Sequence, residues 1–300
     1  MTVTTPARAA RPAARATRPV PMMAIEAAKQ FRRPRTAAVI GAAVAVELAV
    51  CGLLAGTGNG QPERLGDWGS VVPRATGFAL PLVALNAMTV LAFPVIASIF
   101  AGDAVAGEAG SGALRYLAAR PVARWRVLTA KTAVAAILTI ATMVAAFAAA
   151  LVVGLVFFGW HPLAVVDLQH STAFHLSAAS FDAGTALMRS AAILGVVLAS
   201  TASVFAFSLL LSVLTDQAFA AVAGGTGLAF VSRALDNIPG LHALSPWLPV
   251  TDASTTAWSG LLDKPAVVGP IAHLLIAQAV YLVALSVAAF VVFTKKDLLA

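Results

Sequence analysis

The chain has 300 residues, of which 60% are hydrophobic and only 11% charged, and its mean hydropathy is +0.88. A soluble domain carries about 25% charge, so this composition excludes an ordinary water-soluble protein and points to lipid as the solvent. The net charge of +7 does not indicate nucleic acid as a partner, because the basic residues cluster between apolar runs instead of interleaving with polar surface.

Residues 1–21 are rich in Ala, Pro, Thr and Arg, with too few bulky apolar groups to bury, and are expected to form a disordered cytoplasmic tail. Residues 22–36 combine Met22, Met23, Ile25 and Phe31 with Glu26, Lys29, Arg32, Arg33 and Arg35. That mixture predicts a short amphipathic helix in the inner headgroup zone, ended by Pro34.

The remainder, 37–300, reads as one membrane domain. Apolar runs of spanning length fall at about 37–57, 79–101, 133–158, 190–214, 218–235 and 272–293, against the roughly 20 residues that a bilayer requires. The fifth, which carries Gly224, Gly225 and Gly227, has the weakest signal; its glycines predict close helix packing. Leu48-Ala49-Val50-Cys51 fits a lipoprotein cleavage box poorly, because Val50 is bulky, so the first run is expected to stay as a span. Cys51 is the sole cysteine and reads as a small hydrophobe.

Orientation follows from the basic residues. Arg8, Arg11, Arg15, Arg18, Lys29, Arg32, Arg33 and Arg35 precede span one; Arg115, Arg120, Arg124, Arg126 and Lys131 lie between spans two and three; Lys295 and Lys296 follow span six. The positive-inside rule therefore puts both termini in the cytoplasm of a multi-pass protein of the cell's inner (plasma) membrane. Trp68, Trp160, Trp247 and Trp258 then fall at the outer ends of spans, where an indole prefers the interface. The outer segment 236–271 holds five prolines and cannot be one helix, though it has room to re-enter the outer leaflet.

Polar residues inside or between spans are the candidates for function. Glu47 lies near the middle of span one, where an ionised carboxylate is costly; it reads either as part of a substrate path or interface, or as a packing group hydrogen-bonded to Asn86 of span two. The external His161, His170 and His175 with Asp167 and Asp182 have no tight metal-ligand spacing, so no metal site is expected. Phe93, Phe100, Phe147, Phe205 and Phe207 read as packing residues.

The most specific stretch is 102–131, GDAVAGEAGSGALRYLAARPVARWRVLTAK. Glu108, Gly112 and Arg115 at i, i+4 and i+7 predict a short surface helix with an ionic face toward the cytoplasm. Pro121 ends it, and Arg124, Arg126 and Lys131 anchor the start of span three near lipid phosphates. Asp103 and Glu108 have no nearby nucleophile or His to make them catalytic, and ion pairing with Arg115 or with a partner is the expected use.

This stretch resembles the first cytoplasmic loop of permease subunits of ABC-2 type ATP-binding cassette transporters, which commonly reads G-D-x-x-A-G-E, small residues, L-R-x-L, R-P-V, a basic pair and a Lys. Asp103, Gly107, Glu108, Leu114, Arg115, Leu117, Arg120, Pro121, Val122, Arg124 and Lys131 fit; Ala113 stands where Thr is frequent. The resemblance implies an all-α integral membrane fold of six transmembrane helices, an amphipathic N-terminal interfacial helix, and a cytoplasmic coupling helix between helices two and three. It also implies a homodimer or heterodimer of permeases in membrane lipid, served by two cytoplasmic ATPase subunits that dock on Asp103, Gly107, Glu108, Gly112, Leu114, Arg115, Arg120, Pro121 and Arg124.

No G-x-x-x-x-G-K-[ST] loop occurs, so the chain is not expected to be an enzyme, and ATP and Mg belong on the partner. The expected cargo is an amphipathic or hydrophobic compound exported from a bacterium, as in multidrug, antibiotic or lipid efflux. Ion- or metal-related export is the alternative within transport. A six-span membrane enzyme is disfavoured by the lack of H-E-x-x-H or G-x-S-x-G, and a sensory component on the same fold stays open.

Overall fold

The computed structural model describes residues 22–57, 71–73, 76–110, 123–172, 175–236, 238, 240–241, 247–250, 257–262, 266 and 268–296. Helix α1 (Met22–Phe31) leads through Arg32 and Arg33 into α2 (Pro34–Thr57). Pro34 suits the first helical position, since its missing N–H would be unbonded there anyway.

The second crossing is a pair of helices, α3 (Ala79–Val90) and α4 (Ala92–Ala109), divided at Leu91. Pro94 explains the division: it lacks the N–H that would bond to Val90, and its ring crowds that carbonyl. The long α5 (Arg124–Phe158) returns, and α6 (Ala183–Ser200) with α7 (Ala202–Thr215) makes the fourth crossing. Its break at Thr201 follows from side chains that bond backward: Ser200 Oγ donates to Val197 O and Thr201 Oγ1 to Leu198 O, at 2.7 and 2.8 Å.

Asp216 takes a left-handed conformation (φ 55°) and turns the chain directly into α8 (Ala218–Asp236). A 3-10 helix (Ala257–Leu262) precedes α9 (Gly269–Lys295). Within segment 236–271, then, the described residues between α8 and α9 hold 3-10 turns at Trp247 and at Ala257–Leu262 and no continuous helix.

Among the described residues, six apolar helical stretches are long enough to cross a bilayer: Pro34–Leu53, Ala92–Ala109, Arg124–Phe158, Ala183–Thr215, Ala218–Asp236 and Gly269–Lys295. The outward faces are as apolar as the core: Ile137, Ile140, Val144, Val152 and Val156 on α5, and Ile276, Val280, Val283 and Val287 on α9, are all exposed. In water such faces would drive aggregation, whereas lipid is their natural solvent. The fold is an all-α integral membrane bundle.

One feature departs from the all-helical expectation. Strands β1 (Val71–Pro73), β2 (Leu163–Thr172) and β3 (His175–Phe181) form an antiparallel sheet in the order β1-β2-β3. It joins the two segments expected to be external loops, pairing Val72 with Val166 and Leu163 with Phe181.

At the centre, α4 packs on α5, α7 and α8. Gly225 of α8 makes the closest approach: a Cβ there would collide with the Ser208 hydroxyl and lie 2.6 Å from that of Ser98. Small residues at such a crossing let backbones approach and gain dispersion contact where lipid supplies no hydrophobic drive.

Candidate functional site

Among the described residues, seven ionisable side chains, six from four helices and Arg33 from the link between α1 and α2, converge at one end of the bundle. Lys131 of α5, with its side chain 2% exposed, lies 2.6 Å from Glu108 Oε2 and 3.2 Å from Glu26 Oε1 of α1. Lys29 of α1 donates to Glu108 Oε1, and the Arg33 guanidinium lies 3.8 Å from the same oxygen. Arg33 also reaches Asp103 Oδ2 at 3.3 Å, and Arg35 of α2 forks onto both Asp103 oxygens at 2.5 Å.

The local sequence makes this possible. Asp103 and Glu108 sit in the last two turns of α4, and Gly107 lies one turn after Asp103. A Cβ on Gly107 would overlap the Asp103 carboxylate, so the glycine is what lets that carboxylate lie along the helix and meet two arginines. α4 runs unbroken here, and a side chain of α7 bonds to its backbone. The Ser212 hydroxyl of α7 accepts from Val105 N and Ala106 N at 3.2 and 2.9 Å and donates to Gly102 O at 2.6 Å.

The placement differs from a surface helix whose ionic face points outward. The Glu108 side chain is 1% exposed and turned into the chain itself, because Lys29 and Lys131 approach it from α1 and α5. α1 is turned accordingly: Glu26 is buried, whereas Met23, Ile25 and Phe31 are exposed. The charged side of this amphipathic helix faces protein and its apolar side faces outward.

A second clamp adjoins the first. Arg124 Nη1 donates to Lys296 O at 2.5 Å and to Thr294 O at 3.4 Å, supplying a cation to the carbonyl end of α9. Lys296 Nζ in turn lies 2.5 Å from Asp216 Oδ2 and donates to Val213 O at 2.6 Å. Of the residues expected to couple to an ATPase, Asp103, Gly107, Glu108 and Arg124 therefore belong to this end. Gly112, Leu114, Arg115, Arg120 and Pro121 lie outside the described residues.

Glu47 is elsewhere. It is fully buried, and neither carboxylate oxygen has a hydrogen-bond partner among the described residues. The expected bond to Asn86 is not formed; Asn86 is half-buried on α3. One turn on, Cys51 packs with Leu80, Ala84 and Ala150, which puts this face of α2 against α3 and α5.

Residues 9–298 match the family model described as ABC-2 family transporter protein. The chain belongs to the ABC-2 transporter family. It is accordingly a multi-pass membrane protein and a permease component of an ATP-binding cassette transporter. ABC-2 permeases are the membrane part of the transport machine, not the ATPase, and they associate with ATPase subunits and dimerise. The chain matches none of the curated proteins with which it was compared.

The basic residues of this end were visible in the sequence as topological signals, and Asp103 and Glu108 as part of a loop motif. What was not visible is that they are one cluster. Apart from Glu108 and Lys131, the joining pairs are 68 to 105 residues apart in the chain.

Proposed function

We propose that this ABC-2 permease is the membrane half of an exporter that moves an amphipathic or hydrophobic compound out of a bacterial cell, with ATP and Mg held by separate ATPase subunits. The observation that carries the reading is the ionic brace on both sides of segment 111–122. Glu108 at the end of α4 and Lys131 near the start of α5 are tied to each other and, through Lys29 and Glu26, to α1.

A force applied to the segment between α4 and α5 would then reach α1, α2, α4 and α5 as a unit, which is what a docked ATPase needs in order to drive a membrane domain. The region from Asp103 to Arg126 is the proposed coupling region. Its end of the bundle is proposed to be cytoplasmic, since it gathers Lys29, Arg32, Arg33, Arg35, Arg124, Arg126, Lys131, Lys295 and Lys296. The sheet and Asp182 would face outward. Glu47 and Asn86 are proposed to meet the cargo when α2 separates from α3 and α5.

Purification of the tagged permease in mild detergent from its native host tests this reading. A co-purifying P-loop ATPase is expected, and its recovery should fall in Glu108→Ala and in Arg115→Ala. Recovery unchanged in both variants would move docking away from this segment, and the absence of any ATPase from the wild-type preparation would overturn the reading.

A further inference from the structure

Beside the ionic brace the bundle holds a cavity of about 220 Å³, framed by α2, α4, α5 and α8. Its inner wall is apolar, with Val39, Phe100, Ala135, Leu138 and Val222, and its mouth is polar, with Gln30, Arg35 and Asp103. The polarity runs along the helix axes. Leu138 lies seven residues beyond Lys131 on α5, about 10 Å deeper in the bundle at 1.5 Å per residue.

A cavity that is apolar at depth and ionic at the mouth fits an amphiphile held upright, with its head at the level of Arg35. The charge at the mouth sets the sign of that head. In the adjoining brace Lys29, Arg33, Arg35 and Lys131 stand against Glu26, Asp103 and Glu108, a surplus of one positive charge. Arg35 is half-exposed and gives two of its five N–H donors to Asp103. The remaining donors sit on a guanidinium already oriented by a carboxylate fork, and phosphate is the anion whose geometry matches it.

We propose that this crevice binds one anionic phospholipid of the cytoplasmic leaflet, its phosphate at Arg35 and one acyl chain along Val39, Phe100 and Leu138. The choice of leaflet rests on the orientation proposed above; the site itself does not. The bound lipid completes the contact between α2 and α8 on the side of the brace that carries Arg35 and Asp103. It is a resident ligand of the permease, chosen by head-group charge.

The test uses the full-length protein, with whatever subunits co-purify, in phosphatidylcholine nanodiscs. The discs carry a trace of phosphatidylglycerol or of phosphatidylcholine with a diazirine on the acyl chain. After irradiation, peptides covering 96–103 and 218–222 are expected to carry roughly fivefold more of the phosphatidylglycerol probe, the preference that one basic residue gives near an anionic head group.

That excess should vanish in Ala135→Phe, which fills the crevice, and in Val39→Phe, which fills it from α2 and serves if the first variant does not fold. It should persist in Ile140→Phe, on the outward face of α5. Equal labelling by the two probes, or an excess that survives both filling variants, would overturn the proposal. Both leaflets of a nanodisc carry the probe and no transport is measured, so a failure of the export reading or of the orientation leaves this result unaffected.

Discussion

Glu108 and Lys131 meet 2.6 Å apart with their side chains 1% and 2% exposed, one at the end of α4 and the other near the start of α5. Between them in the chain lies the segment proposed for coupling, so the pair ties together the helix ends on either side of it. Removing one member of a buried pair strands the other charge, at a cost of about 3–5 kcal/mol, whereas removing both in favour of apolar groups is often neutral. Glu108→Met and Lys131→Met should each lower the thermal midpoint in detergent, and the double variant should recover most of the loss. Glu26 and Lys29, three residues apart on α1, would remain to pair with one another. Additive losses in the double variant would mean that the two charges are not energetically coupled.

Ser212 joins the core to the same site. Its hydroxyl satisfies two N–H groups and one carbonyl of α4, and an unsatisfied buried polar group costs about 1–3 kcal/mol. Ser212→Ala should therefore destabilise the protein on that scale and should increase amide exchange at Val105 and Ala106. Unchanged exchange at both amides would show that α4 closes its own ladder once the hydroxyl is gone.

Gly225 and Gly227 separate packing from composition. The Gly225 position has no space for a Cβ, while a Cβ on Gly227 meets nothing within 4 Å. Gly225→Leu should abolish stable expression through overpacking, which costs about 1–3 kcal/mol or more, and Gly227→Leu should express normally. Equal expression of the two variants would place the α4–α8 crossing elsewhere.

The spans were legible because a bilayer demands roughly 20 apolar residues at each crossing, and the order of basic segments fixed which helix ends lie together. The breaks at Leu91 and Thr201 were not read, although Pro94 and the Ser200-Thr201 pair are local causes. The sheet was missed for a different reason: β1 and β2 lie some ninety residues apart, pairing Val71 with Asp167, and strand pairing at that range leaves no periodic signal in either segment. The ionic brace was hidden in the same way. Glu108 reads with Gly112 and Arg115 as one helix face because i, i+4 and i+7 neighbours are the partners a linear pattern displays.

Glu47 provides the sharpest test of the bundle's interior. Both oxygens lack a hydrogen-bond partner among the described residues, and α3 and α5 shield this face from lipid. A charge without a partner there costs several kcal/mol, while an amide of the same shape is neutral. Glu47→Gln should express and unfold like the wild type, and Glu47→Lys should fail to accumulate in membranes. If cargo contacts this carboxyl, Glu47→Gln will lose transport at unchanged stability; retention of full transport would remove Glu47 from the path. A marked loss of stability in Glu47→Gln would show that the carboxyl makes a contact of its own.

Asp182 anchors the opposite end of the protein and predicts a response to acid. It precedes α6 and accepts from Thr185 N at 3.1 Å and from Thr185 Oγ1 at 2.6 Å, the arrangement of a helix N-cap. These hydrogen bonds from Thr185 hold its carboxyl below the usual aspartate range. A carboxyl whose folded value is depressed stabilises the fold at pH above its unfolded value, and that contribution disappears as the pH falls through the folded value. Protection of the first-turn amides of α6 should therefore be full at neutral pH and decline under acid. Asp182→Asn should keep the cap but lose the pH dependence, because an amide accepts the same bonds without titrating, and Asp182→Ala should fray the turn at every pH. Fraying of wild type and Asp182→Asn at the same acidic pH would assign the transition to another group.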